Sequence, residues 1–192
     1  MGNGMKKMNL GCGMMKKEGF INVDFRKGVT PDVVWDLNVF PYPFEDRSFD
    51  LIEASHVIEH LDRPFVVMKE LHRILKPGGR LHMMVPHFSR GLTHAEHKSG
   101  FDVIFPFYFD KSFIMAGYDG VDFTCTKIEL HWMAFLHLMP YIGIGPNMIR
   151  ILHVINMIIN FFAALSPRFC SRVWCYWVGG FEEIEFDFIR TK

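Results

Sequence analysis

Two imidazoles and a carboxylate fall within five positions in the stretch ASHVIEHL, as His56, Glu59 and His60. If the stretch begins a helix, these positions are related by i, i+3 and i+4, share one face and can converge on one point. Neutral imidazole with carboxylate suits Zn, Fe, Mn or Co, whereas Mg prefers oxygen ligands. The later stretch THAEHKSGF adds His94 and His97 as further donors. The same groups also have a metal-free use, because an imidazole that titrates near neutrality can take a proton from a reacting hydroxyl. A third reading gives the stretch only a structural role.

A second constellation surrounds MNLGCG, where Gly11 and Gly13 follow a short apolar run. Small residues at the C-terminal end of a strand let a ligand approach the backbone. Asp24 and Asp36 end the next two apolar runs, INVDF and DVVWDL. In a parallel sheet these strand ends lie along one crevice, where an acid on the second strand can accept both hydroxyls of a ribose. A nucleoside-shaped ligand would satisfy all three features. The Gly-x-Gly-x-x-Gly turn of a nucleotide-binding oxidoreductase is absent.

The elements that must position these groups follow from the alternation of short apolar runs, turns and one good helix, the pattern of an α/β sheet. KMNL, INVDF, DVVWDL, FDLIEA and RLHMMVP are the strand candidates of the first half. Between the last two, Val67, Leu71, Ile74 and Leu75 share one face of a crossover helix that opens near Pro64 and closes at Pro77-Gly78-Gly79. VDFTCTKIEL and EEIEFDFIR alternate with period two and should pair as a terminal antiparallel hairpin. A short helix capped by Asp110 is expected over KSFIMAG. Only ten residues separate Gly13 from Asp24, too few for a full crossover helix.

With these motifs in view, the chain resembles the class I S-adenosylmethionine-dependent methyltransferases, above all the small bacterial and archaeal ones. The likeness runs from about Lys7 to Phe88 through LGCG, GFINVD, YPFEDRSFDLI and ELHRILKPGGRL, and weakly through the final strands. It implies a Rossmann-like, mostly parallel seven-stranded sheet in one domain, with a C-terminal antiparallel hairpin and an apolar helical insertion over residues 134–180. It also implies S-adenosylmethionine as cofactor, with Gly11, Cys12 and Gly13 along its methionine part and Asp24 on the ribose. Asp36 and Leu37 would meet the adenine, and Ser55, at the end of the fourth strand, would complete the set. Asn9 replaces the acid that often opens the glycine motif.

The segment after the fourth strand faces the transferred methyl group in this family, which makes His60, His97 and Glu59 the candidate catalytic residues. His56, Glu59, His60 and His97 are the candidate metal ligands. Glu-x-x-Glu-His at this place binds a divalent metal in the small-RNA 2′-O-methyltransferases and in the O-methyltransferases of ubiquinone biosynthesis. Glu59 and His60 match that pattern, and His56 replaces its first glutamate. His87, in VPHFS, reads as structural.

The expected activity is methyl transfer to a hydroxyl or amine of a small hydrophobic or lipid- or glycan-linked acceptor. The alternatives are a catalytically inactive cofactor-binding subunit and a 2′-O-methyltransferase acting on RNA. Balanced charge, with 21 Lys+Arg against 21 Asp+Glu, gives no field that would draw in nucleic acid. Phe101, Phe105, Phe107, Tyr108, Phe109 and Phe113 are expected either to wall an apolar pocket or to belong to the core. In residues 134–180 the run ILHVINMIINFFAAL reads as a core-packed or dimer-forming helix, as a peripheral membrane contact, or as a span. Four cysteines without Cys-x-x-Cys spacing and no export signal point to a reduced, cytoplasmic setting.

Overall fold

In the computed structural model, which describes residues 4–91, 93–113, 115 and 117–191, the apolar runs pair as a single seven-stranded sheet. The strands are β1 (Lys7–Leu10), β2 (Ile21–Asp24), β3 (Val33–Val34), β4 (Phe49–Ser55), β5 (Leu75–Pro86), β6 (Phe123–His131) and β7 (Glu183–Arg190). Their order is β3-β2-β1-β4-β5-β7-β6. The first five run parallel, and β7 enters antiparallel between β5 and β6. Strand order reverses at β1, where Leu10 is in register with both Val23 of β2 and Ala54 of β4. The C-terminal ends of these strands therefore flank one crevice, the usual ligand position in an open parallel sheet.

The crossover helix α1 (Pro64–Ile74) starts on a proline, whose missing N–H costs nothing at that position. Its buried stripe is Val67, Met68, Leu71 and Ile74. It ends before Pro77 because Leu75 already pairs with Phe49 across the sheet. From β1 to β2 the chain makes turns and no helix. Asn9 holds this connection: its side-chain amide donates to the Met15 carbonyl at 2.9 Å and to Asn22 Oδ1 at 3.0 Å. A buried amide thus ties down the turn where the glycine motif often opens with an acid.

After β5 comes one short turn of helix, α2 (Phe88–Gly91), and then a 3₁₀ turn at Phe105–Phe109. Phe101, Phe105 and Phe109 are buried in the core, while Phe107 stacks on Phe113 at 4.5 Å near the surface. The aromatic group is thus divided between the two expected roles. Asp110 accepts hydrogen bonds from the Ser112 amide and hydroxyl rather than capping a helix; Ile114 and Ala116, within the helix expected there, lie outside the described residues.

Between β6 and β7 stand a 3₁₀ segment (Leu136–Ile142), α3 (Pro146–Leu165), α4 (Pro167–Arg172) and a turn at Trp174–Tyr176. Packing of α3 into this chain's own core does not hold: only 6% of its most apolar 18-residue window is buried. The helix docks by its polar side chains. Asn160 accepts from the Trp132 amide at 2.8 Å, and Asn156 exchanges two hydrogen bonds with the Met133 backbone.

Candidate active site

The glycine turn follows β1 directly. Gly11 has φ +63°, and a Cβ placed on it would lie 2.3 Å from Cγ2 of Val57, so glycine is required twice over. The physical reason differs from the expected one: the backbone approaches Val57 across the crevice as well as leaving room for a ligand. Gly13, also at positive φ, donates its amide to Asp24 at 2.8 Å. The other oxygen of Asp24 accepts from the Arg26 backbone at 2.9 Å and from its side chain at 3.2 Å. Burial alone would raise the Asp24 carboxyl, but the hydrogen bonds from Arg26 and Gly13 outweigh it and hold the group below the ordinary carboxylate range.

Gly11, Asp24, Asp36 and Leu37 line a cleft of about 530 Å³ together with Phe25, Arg26, Asn38, Val57, Leu61 and Lys98. His56 and His60 stand at its other side. Cys12, Gly13 and Ser55 are outside this lining. The Cys12 thiol is buried beneath the turn, the Gly13 amide is committed to Asp24, and Ser55 is paired with Met84 inside the sheet. For S-adenosylmethionine, the cleft offers one carboxylate at the end of β2, Asp24, another two residues past the short β3, Asp36, and a backbone passage kept open by glycine, which fits a nucleoside. The Arg26 guanidinium lies against the glycine turn, 3.1 Å from where a Cβ on Gly13 would stand. Spacing pointed to Asp24 but not to Arg26, although a cation two positions beyond an acid is a local signal for their pairing.

Past the end of β4 the chain makes not a full helix but a 3₁₀ turn, Ile58–His60, with His56 at φ +49°. Even so, Glu59, His60 and His97 place one ligand atom each within 4.8 Å of one another. The carboxylate of Glu59 is wholly buried, with no hydrogen-bond partner closer than His56 Nδ1, 3.5 Å from its Oε1. Nε2 of His60 and Nε2 of His97 each stand 3.9 Å from Glu59 Oε1. Each ring's other nitrogen, Nδ1, meets a backbone carbonyl, that of Glu96 for His60 and that of Gly91 for His97. A carbonyl can only accept, so Nδ1 carries the proton, and in the neutral ring Nε2 presents a lone pair toward the carboxylate. Two lone pairs and a buried carboxylate converging on one point are a donor set that could hold a cation. His94 stacks on His97 with centroids 4.6 Å apart and walls this group.

His56 stands apart from that convergence. Its Nε2 meets Glu183 of β7 at 2.6 Å, and its Nδ1 lies 3.5 Å from Glu59. Burial disfavours charge on the ring, but the bonds to Glu183 and Glu59 prevail and lift its pKa to about 9. His56 is thus a partner of two carboxylates, and it lies outside the group of Glu59, His60 and His97 whose ligand atoms fall within 4.8 Å of one another. Glu183 carried no local sequence signal. It arrives because β7 pairs with β5, setting Glu183 opposite Pro86.

Two other histidine–carboxylate groups, His82 with Glu185 and Asp187 and His131 with Glu129 and Glu185, lie on β5, β6 and β7. Lys127 bridges Glu129 at 2.7 Å and Glu185 at 2.6 Å, and His82 meets Asp187 at 2.8 Å.

On the far side of His56 and His60 opens a second, mainly apolar cavity of about 670 Å³, lined by Pro86, Thr93, His94, His97, Phe135 and Leu138 among others. Both histidines border both cavities. His87 sits nearby but is fully buried, its ring nitrogens held by Ser89 and Ser171 at 2.7 and 2.8 Å, as a structural residue should be.

Comparison with known proteins agrees with this geometry. Residues 18–83 match the methyltransferase domain family. An uncharacterized methyltransferase of Schizosaccharomyces pombe is 35% identical over 65 residues, which is 34% of this chain and 20% of that protein. A ubiquinone/menaquinone biosynthesis C-methyltransferase of Ruegeria is 46% identical over 48 residues, 25% of this chain and 18% of that one. The similarity thus spans only about a fifth of the length of these relatives. Among solved structures, a SAM-dependent methyltransferase from Archaeoglobus fulgidus superposes with a TM-score of 0.57 at 20% identity, covering 97% of this chain and 87% of its own. A Haemonchus contortus phosphoethanolamine N-methyltransferase solved with S-adenosylmethionine gives 0.57 at 15% identity, covering 100% of this chain and 50% of its own. Over residues 18–83 the chain thus matches the methyltransferase domain family, and its whole sheet has the fold of solved S-adenosylmethionine-dependent methyltransferases.

Proposed function

We propose that the protein transfers a methyl group from S-adenosylmethionine to a hydroxyl of a hydrophobic acceptor, and that Glu59, His60 and His97 hold a divalent transition metal beside the reacting oxygen. The observation that carries this reading is the shared wall: a nucleoside-shaped cleft and an apolar cavity meet at His56 and His60. A donor in the first and an acceptor in the second would face one another across these side chains. Such positioning is worth up to ~7 to 11 kcal/mol of the barrier when the reacting atoms are aligned.

In the reaction an oxygen–carbon bond forms as the carbon–sulfur bond breaks, the donor leaves as a neutral thioether, and the acceptor's proton is released. A metal at Glu59, His60 and His97, when bound, would lower the pKa of that hydroxyl. The chain's own contribution is orientation of the two imidazoles through the Glu96 and Gly91 carbonyls, and exclusion of water by Phe135 and Leu138. The imidazolium of His56 sets a fixed positive charge between the two cavities. Zn, Fe, Mn and Co suit two nitrogens and one carboxylate better than Mg does.

Two relatives are named for demethylmenaquinone and for ubiquinone/menaquinone biosynthesis, which supports a quinone-type hydrophobic acceptor over RNA. The test is transfer of labelled methyl to a panel of catechols, quinols and an RNA 3′-end, with and without chelator. Turnover on an apolar hydroxyl that stops on chelation and returns with Mn, Co, Fe or Zn is the expected result. Turnover indifferent to chelator would leave His60 as a metal-free base, and transfer to RNA alone would overturn the acceptor class.

A further inference from the structure

We propose that α3 lies in the surface layer of an anionic lipid membrane, with its outward apolar stripe immersed and its asparagine face holding it to the domain. In a helix that packs on a protein core the apolar stripe faces inward. In α3 this polarity is inverted. Asn156 and Asn160, on one face, are hydrogen-bonded to the backbone at Trp132 and Met133, and Ala163 on the same face is fully buried. Met148, Ile151, Val154, Ile158, Phe161 and Leu165 recur at spacings of three and four along the other face, and each is at least half exposed. A patch of this kind, 20 residues or about 30 Å long, is larger than single scattered apolar side chains require and marks a contact surface.

Charge selects the occupant. From His131 to Phe181 the sequence holds no aspartate or glutamate, yet it carries Arg150, Arg168 and Arg172, in a chain whose formal net charge is zero. Arg172 is paired with Asp102, while Arg150 and Arg168 occupy exposed positions at the two ends of the helical segment, Arg168 with its guanidinium 5.4 Å over the Phe107 ring. Exposed Tyr141, Tyr176 and Trp177 stand on the turns that flank α3 and α4. Apolar stripe, basic flanks and amphipathic rings at the margins are the attributes of a helix lying in a lipid interface over anionic headgroups. A second copy of the chain would bring only cations to a surface that has no carboxylate to receive them. A transmembrane position is incompatible with the fold, because one side of α3 is tied by hydrogen bonds to the residues after β6.

Flotation of the full chain with phosphatidylcholine vesicles, with and without phosphatidylglycerol, tests this independently of any methyl transfer. The expected result is binding that grows with phosphatidylglycerol and weakens with salt. Ile151→Asp/Ile158→Asp/Phe161→Asp should lower the partition at least about tenfold, with circular dichroism and thermal midpoint unchanged. If that variant fails to fold, Arg150→Gln/Arg168→Gln still decides, since it should lose the preference for phosphatidylglycerol while keeping the apolar stripe. Three results would overturn the proposal: no vesicle binding by the wild-type chain, binding indifferent to headgroup charge, or a dimer by light scattering that the aspartate variant dissolves.

Discussion

His87 ties the end of β5 to the apolar segment, and its environment makes folding sensitive to acid. The ring is wholly buried, and its nitrogens meet the hydroxyls of Ser89 and Ser171 and the Ser89 amide, with no carboxylate in hydrogen-bond contact to compensate a positive charge. Burial pushes its pKa down to about 4 from the usual 6.5, against a weaker upward pull from Asp102. The unfolded chain therefore binds a proton near pH 6.5 that the folded chain refuses until about pH 4, and acid favours unfolding across that interval. The contribution is fully present above pH ~6.5, falls by about 2 kcal/mol at pH 5 and by about 3 kcal/mol at pH 4, and levels off below. For a chain of this size about 3 kcal/mol corresponds to about 6 to 12 °C in thermal midpoint. Because carboxylates titrate in the same range, the assay is a difference: urea unfolding from pH 7 to 4 for wild type and His87→Gln, which can still hydrogen-bond to both serines. The wild type should lose about 3 kcal/mol more than the variant over this range. Parallel stability curves would refute the argument, whatever the variant's absolute stability.

Two further predictions concern the crevice. Gly11→Ala should cost at least about 1 kcal/mol for its left-handed backbone and more for the collision with Val57, and Val57→Ala in the same chain should recover the second part only; urea midpoints of the single and double variants check this. Addition of Zn, Mn, Fe or Co at one hundred times its dissociation constant should stabilise the wild-type chain by about 2.7 kcal/mol, or about 5 to 11 °C. Glu59→Gln should abolish that rise, and an equal rise in the variant would place the ion elsewhere.

Much of the scaffold was legible because it rests on local patterns. The runs KMNL, INVDF and FDLIEA became β1, β2 and β4, and the face of Val67, Leu71 and Ile74 became the buried side of α1. The period-two runs of the last two strands pair as expected, but β7 lies between β5 and β6, an arrangement set by the whole sheet. At the site, the convergence of Glu59 and His60 followed from spacing even though the turn is 3₁₀, because positions next to one another there still point into one crevice. The partner of His56 was not legible, since Glu183 lies 127 residues away and depends on β-sheet register. Arg26 over the glycine turn was not legible, and although Asn156 and Asn160 share one face of α3 by spacing, residue type alone does not say which face the fold will cover.

The account rests on a nucleoside donor lying between Gly11, Asp24 and Asp36, and calorimetric titration with S-adenosylhomocysteine tests this most directly. Asp36 is suited to the comparison because the only side-chain hydrogen bond described for it is local, accepted from the Asn38 amide at 2.9 Å, so its removal should spare the fold. The wild-type chain should bind one equivalent, and Asp36→Ala should bind at least about tenfold more weakly, about 1.4 kcal/mol, at an unchanged thermal midpoint. No binding by the wild type, or equal binding by the variant, would contradict the assignment of the cleft.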